Sequence, residues 1–163
     1  MTNYIKQITE NFIEIDTPQM IEVDRLMVEE YQIELIQMME NAGRCLAILA
    51  RDHFLNGDPQ DKKVAILAGT GGNGGGALVS ARRLHNWGAQ VEIFMTHQEG
   101  KMTPIPKHQR NILNRMGISI QLGTELPKQK NYDLIIDGII GYSVKGNPYG
   151  VPGIFHNGLV PTK

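Results

Sequence analysis

VAILAGTGGNGGGALVSARRL, residues 64–84, is an apolar run broken by six glycines in eight positions and resumed with helical spacing. An unbroken apolar run of this length, a turn signal and a 3.6-residue period read as strand, turn and helix. Glycine at this density removes Cβ atoms and permits positive φ. It also lets backbone N–H groups face a ligand at the start of a helix, where the dipole favours anions. Gly69, Gly71 and Gly74 form a literal GxGxxG between the strand and the helix, the position a dinucleotide fingerprint takes. Close helix-to-sheet packing is the other use such glycines have, but packing needs fewer of them.

Outward from this loop, short apolar runs at residues 64–68, 91–95, 118–121 and 134–137 predict four strands. Helical spacing over residues 75–87 and 106–116, closed by Gly88 and Gly117, predicts the helices between them. Alternation of strand and helix forces parallel pairing with right-handed crossovers. The expected fold is therefore α/β, a Rossmann-like three-layer αβα sandwich with a mainly parallel sheet. Ahead of it, Thr17 as N-cap and Pro18 at the first helical position start one helix, which runs to about Tyr31. A second, long and largely buried, runs from Leu35 to Phe54 and stops at Asn56 and Gly57. The chain thus divides into an N-terminal arm (1–16), leading helices (17–57), an α/β core (58–150) and an irregular tail (151–163), all within a single domain.

A net charge of −1 over 163 residues, with no lysine or arginine run, gives no footprint for nucleic acid or an anionic membrane. The N-terminus is polar and acidic and no segment approaches a membrane span, so a cytoplasmic location is expected. One cysteine, Cys45, excludes an internal disulfide framework; its helical apolar setting suggests a buried small hydrophobe. His97 and His108 fall in or beside a turn-rich surface loop, residues 98–106, and are expected to face solvent.

At the end of the fourth strand, YDLIIDGIIGYSVKGNPYG places Asp137 before another glycine turn. Ligands of open α/β sheets collect outside the carboxyl ends of the strands, so Asp137 and the loop of Gly69 to Gly76 should share one pocket. A carboxylate there can hold a cation, act as general acid or base, or simply close a loop by hydrogen bonding. Asp133 opens the same strand and belongs at the opposite edge. Lys145 could meet a phosphate or lie solvated. The second strand ends in Met95, Thr96 and His97 rather than in the acidic residue that grips a ribose in the usual nicotinamide-binding mode.

Four segments together resemble the YjeF N-terminal domain family, whose enzyme members are NAD(P)H-hydrate epimerases. MIEVDRLMVEEYQI (20–33) is similar to the family's opening helix, and LIQMMENAGRCLA (35–47) to its LMENAG segment. LAGTGGNGGGALVSARRLHNWGAQVEIF (67–94) resembles its GxGNNGGDGLVAARHL loop and helix, and DLIIDGIIGYSVKG (133–146) its DxxxDALFGTGLxG turn. The resemblance implies interconversion of the R and S epimers of hydrated NADH or NADPH, so that a stereospecific dehydratase can restore the dinucleotide. It implies a potassium ion held by Asn73 and Asp137, with Asp137 also the candidate for proton transfer. It further implies substrate contacts from Gly72, Asn73, Gly74, Gly75 and Gly76 and from Gly141, Tyr142, Ser143, Val144, Lys145, Gly146 and Asn147. A homodimer is the expected assembly, with an NAD(P)H-hydrate dehydratase as a partner in the same pathway.

Departures from the pattern keep a second reading open. Gly72 stands where the family has its first asparagine, Gly76 where it has aspartate, and Ser143 where it has a glycine. After Gly150 the family continues to an S-x-D-x-PSG motif, whereas VPGIFHNGLVPTK follows here, so the C-terminal part of the fold is expected to be missing and one sheet flank open. The alternative to an epimerase is a noncatalytic nucleotide-binding or scaffold module of the same fold, inactivated by Gly76 and by the absent motif.

Overall fold

The computed structural model describes residues 14–123 and 131–141. Contacts gather the chain into two units, Met1–Leu35 and Ile36–Lys163.

In the first unit, α1 (Thr17–Glu29) is an amphipathic helix that carries its own end signals. Its N-cap is Asp16 and not Thr17. Asp16 Oδ1 accepts from Gln19 N at 2.8 Å while Gln19 Oε1 accepts from Asp16 N at 2.8 Å, a reciprocal capping box. The carboxylate outcompetes the hydroxyl because the glutamine three residues on completes the pair. Arg25 bridges Glu22 and Glu29 at helical spacing. Past the helix, Gln32 takes a left-handed φ of 56°.

The second unit is a parallel α/β layer structure. Its sheet comprises β1 (Lys63–Ala68), β2 (Gln90–Met95), β3 (Ile120–Leu122) and β4 (Leu134–Gly138), in the order β3-β2-β1-β4 with every pairing parallel. The connecting helices are α3 (Gly72–Asn86) between β1 and β2 and α4 (Pro104–Arg115) between β2 and β3. Right-handed crossovers in a sheet growing steadily from β1 to β3 put both helices on one face. In agreement, Ala77, Leu78, Ala81 and Leu84 of α3 and Leu113 of α4 share one core with Val64, Ile66, Ala68, Ile93 and Met95. Ala65, Leu67, Phe94 and Ile139 form a second cluster, packed by Tyr132 and Ile140. Strand β1 is buried from Val64 to Ala68 on both faces, as the central strand of a layered α/β fold must be.

Element boundaries differ from the sequence pattern where tertiary contacts or caps override it. Helix α3 begins at Gly72 rather than near Gly75, so four of its first five residues are glycine. Helix α4 begins at Pro104 rather than Pro106. Prolines cost little there, since the first N–H groups of a helix have no intrahelical partner. Strand β3 spans Ile120–Leu122 rather than residues 118–121, because Gly117 (φ 77°) and the bond from Ile118 N to Leu113 O engage Ile118 in closing α4. Gly88 closes α3 in the same conformation, with φ 92°.

Helix α2 (Leu35–Leu49) runs on into a π-helical turn at Ala50–Phe54 and ends at Asn56 and Gly57, both with positive φ. It is not largely buried. Only Gly43, Ala47 and Ala50 are covered, while Leu35, Leu49 and Phe54 are exposed. Cys45 is exposed as well, because it lies about 200° around the helix from Gly43.

Candidate functional site

Each glycine of the loop after β1 can be sorted by what a Cβ atom there would meet. At Gly69 it would collide with the carbonyl oxygen of Ile139, and at Gly74 with that of Gly69. These two are bare so that backbones can touch, and Gly69 N donates to Gly138 O at 3.0 Å across the same approach. At Gly75 the atom would rest 3.4 Å from Ile105 Cγ2, an ordinary contact. At Gly71 and Gly76 it would meet nothing within 4 Å, and at Gly72 only Met39 Sδ at 3.6 Å. Packing thus explains Gly69 and Gly74 and leaves Gly71, Gly72 and Gly76 unexplained. Gly71 is the N-cap of α3 and supplies no side-chain cap. The leading N–H groups of a 15-residue helix therefore open onto bare backbone, the form an anion site takes.

Asn73, in the first turn of α3, reaches across to the segment after β4. Its Nδ2 donates to the Ile140 carbonyl at 2.8 Å, and a Cβ at Gly141 would lie 3.3 Å from the same nitrogen. Asp137 sits on β4 opposite Leu67 of β1 and is exposed. Its Oδ1 accepts from Ile139 N at 2.9 Å, which bends the chain back toward Asn73. Gly138 completes the approach, because a Cβ there would lie 2.8 Å from the Asn73 carbonyl oxygen and 2.6 Å from Ala77 Cβ. Asn73 thus meets the turn after β4 through Gly138, Ile140 and Gly141, and Asp137 stands at the start of that turn. Tyr142, Ser143, Val144, Lys145, Gly146 and Asn147 lie outside the described residues.

Asp133 is at the other end of β4, where Oδ2 accepts from Lys63 N at 2.8 Å and stitches the strand starts together. His97 is half-buried with Nδ1 3.0 Å from Thr96 Oγ1, and His108 is exposed. Tyr132 donates to Glu92 Oε2 at 3.1 Å; burial, and then this bond, push its hydroxyl up to about 12.

Two supports of the site have no sequence signal of their own. Thr103, the N-cap of α4, donates to the Thr70 carbonyl from both N (3.0 Å) and Oγ1 (3.1 Å), tying the loop after β2 to the glycine loop. Behind α3, Glu40 of α2 accepts from Arg82 at 2.5 Å and from Arg83 at 2.6 Å. Burial raises the Glu40 pKa, but the bonds from both guanidiniums outweigh it and hold the carboxyl below the usual glutamate range. Gly43, one turn on, lets α2 close onto α3, since a Cβ there would strike Val79 and lie 2.5 Å from the Gly76 carbonyl.

A family model described as YjeF-related protein N-terminus matches residues 35–152. The NAD(P)H-hydrate epimerase of Dehalogenimonas lykanthroporepellens is 39% identical over 136 residues, 83% of this chain and 54% of that one. The bifunctional NAD(P)H-hydrate repair enzyme Nnr of Moorella thermoacetica is 31% identical over 88% of this chain and 28% of its own length. Among solved structures, that of yeast ynu0 superposes with a TM-score of 0.68 at 26% identity, over 85% of this chain and 60% of the yeast chain. The chain spans about half the length of curated epimerases it matches. Among the described residues, no helix is long and apolar enough to cross a membrane.

Proposed function

Because the chain belongs to the family of YjeF-related protein N-termini, we propose that it interconverts the R and S epimers of hydrated NADH or NADPH. The observation that carries this reading is the bond from Asn73 Nδ2 to the Ile140 carbonyl, which holds the open glycine cradle of α3 beside the turn bearing Asp137. The relatives named for this activity support it, and the retained Asn73 and Asp137 weigh against an inert binding or scaffold module.

The donor chemistry at this turn fits a potassium ion. Hard cations take oxygen ligands. Asn73 uses its amide nitrogen on Ile140, which leaves Oδ1, and Asp137 uses one carboxylate oxygen on Ile139, which leaves the other. These two residues would hold the ion, which would supply fixed positive charge beside the substrate. A cation also makes a carboxylate a poorer base, so ion holding and proton transfer compete at Asp137.

The pyrophosphate lies at the N-terminus of α3 in this proposal, where Gly71, Gly72 and Gly76 leave space. The reacting carbon carries a hydroxyl and the ring nitrogen. Asp137 takes the hydroxyl proton as the carbon–nitrogen bond opens and delivers it to the ring nitrogen, leaving a carbonyl. Reclosure on the other face reverses each transfer and gives the opposite epimer. The Ile139 N–H fixes the carboxylate's direction throughout.

A homodimer belongs to the same proposal and is supported by the exposed apolar side chains of Leu35, Leu49 and Phe54. A dehydratase specific for one epimer is the enzyme that would consume the product. Each hydrate epimer, supplied singly with potassium, should equilibrate faster with the protein than without it. An unchanged rate would remove the enzyme reading.

A further inference from the structure

A cavity of about 390 Å3 opens at the C-terminal ends of β2 and β3, outside the Asn73–Asp137 turn. Ala68 pairs with Met95 and Met95 with Leu122, so β1, β2 and β3 end level with one another. The glycine loop leaves β1 at that level, and the cavity begins about one strand spacing, ~4.8 Å, to its side. Its rim is anchored to the glycine loop by the bonds of Thr103 to the Thr70 carbonyl and of Thr96 N to the Ala68 carbonyl at 3.1 Å. Cavity and cradle are thus neighbouring compartments along the carboxyl edge of one sheet.

Its lining is of two kinds. Met95, Ile120 and Leu122 make an apolar wall, and Leu122 is 58% exposed within it. His97, Glu99 and Arg110 make a polar rim. Glu99 is paired with Arg110 and receives Lys107 Nζ at 3.4 Å, so two cations share one carboxylate and one positive charge is left over.

Resting on the dinucleotide reading of the glycine loop, we infer that this cavity receives the adenosine half of the ligand and favours the form phosphorylated at the ribose 2′ position. Asp137 lies on the β4 side of β1, and the cavity on the β2 side. A dinucleotide whose pyrophosphate sits on α3 must send its two nucleosides to opposite sides of β1. With the reacting ring toward Asp137, the adenine goes to the apolar wall at Leu122. Its ribose then faces Arg110 and Lys107, which exchange part of their pairing with Glu99 for the phosphate. The absence of an acidic residue at the very end of β2 accords with this preference.

Titration calorimetry with adenosine 2′,5′-bisphosphate and adenosine 5′-monophosphate tests the inference without any nicotinamide present. Saturable binding of both is expected, tighter for the bisphosphate. Arg110→Ala should weaken the bisphosphate about tenfold, as loss of a charged hydrogen bond does, and leave the monophosphate nearly unchanged. Glu99→Gln should strengthen the bisphosphate, and Leu122→Asp should weaken both ligands. Thermal unfolding of each variant separates a lost contact from a lost fold. Equal affinity for the two nucleotides, or indifference to Arg110→Ala in a folded variant, overturns the inference. If that occurs while the hydrate epimers still equilibrate, the catalytic reading stands alone. Arg110-dependent binding without epimerisation would instead uphold the nucleotide site and remove the catalytic reading.

Discussion

Gly138 on β4 and Ala77 on α3 leave space for a single methyl group between strand and helix: a Cβ atom at Gly138 would lie 2.6 Å from the Cβ of Ala77. In the family pattern the pair is reversed, glycine on the helix and alanine on the strand. One methyl is kept and its owner is exchanged, so the separation of α3 from the end of β4 is set by a pair rather than by either residue. That separation determines whether Asn73 reaches Ile140.

Gly138→Ala should therefore destabilise the protein by about 1–3 kcal/mol through overpacking. Ala77→Gly alone should cost about 1 kcal/mol as a glycine in a helix. The double variant should be more stable than Gly138→Ala despite carrying both changes, with part of the loss remaining because Asn73 O also crowds position 138. Urea unfolding of the four proteins measures the coupling, and strict additivity would deny it.

Asn73→Ala removes the donor to the Ile140 carbonyl and should cost about 1 kcal/mol in stability. Asn73→Asp leaves no amide donor and sets a carboxylate beside the turn that begins at Asp137. It should lose the bond, and the pH profile of its activity should be displaced from that of Asn73→Ala, which adds no charge there. The comparison of the two profiles separates fastening from charge.

Gly76 is buried, but a Cβ there would meet nothing within 4 Å, and a Cβ at position 72 makes only a van der Waals contact with Met39. Gly76→Asp and Gly72→Asn, which restore the family residues, should fold with stability unchanged or raised by a few tenths of a kcal/mol. Each replaces a helical glycine, and the aspartate sits near a helix N-terminus. A fall of more than about 1 kcal/mol in denaturant unfolding would mean that the space is filled.

Glu40 has its folded pKa depressed by Arg82 and Arg83, against the opposing effect of burial. A depressed carboxyl stabilises the fold fully above its unfolded value, ~4.3, and the contribution is lost as the pH falls through the lower folded value. Glu40→Gln should lower stability at neutral pH by about 1–2 kcal/mol, allowing for partial exposure, with a smaller difference below pH ~4. Thermal unfolding across this range checks the sign.

The parallel α/β order, the closing glycines Gly88 and Gly117, the glycine loop ahead of α3 and the place of Asp137 near the end of β4 are legible in the sequence because each is a local signal of period, turn chemistry or strand end. Four features are not. The N-cap at Asp16 depends on a reciprocal partner three residues on, and α3's early start depends on Gly74 packing on Gly69. The exposure of Cys45 follows from which stripe of α2 meets α3, and apolar content alone does not choose between stripes. The site's tie across 67 residues, Asn73 to Ile140, involves a backbone carbonyl, and every residue has one.

If the glycine cradle and the Asp137 carboxylate act together on one substrate, removing the carboxylate must abolish turnover while the fold survives. Chromatography of each purified hydrate epimer, incubated with potassium and either wild-type protein or Asp137→Ala, follows that turnover. Rapid approach to the same epimer ratio from either side is expected with wild type, and the uncatalysed rate with Asp137→Ala in a variant that still unfolds cooperatively, above the assay temperature. Equal rates for the two proteins, or none above background for either, would contradict it.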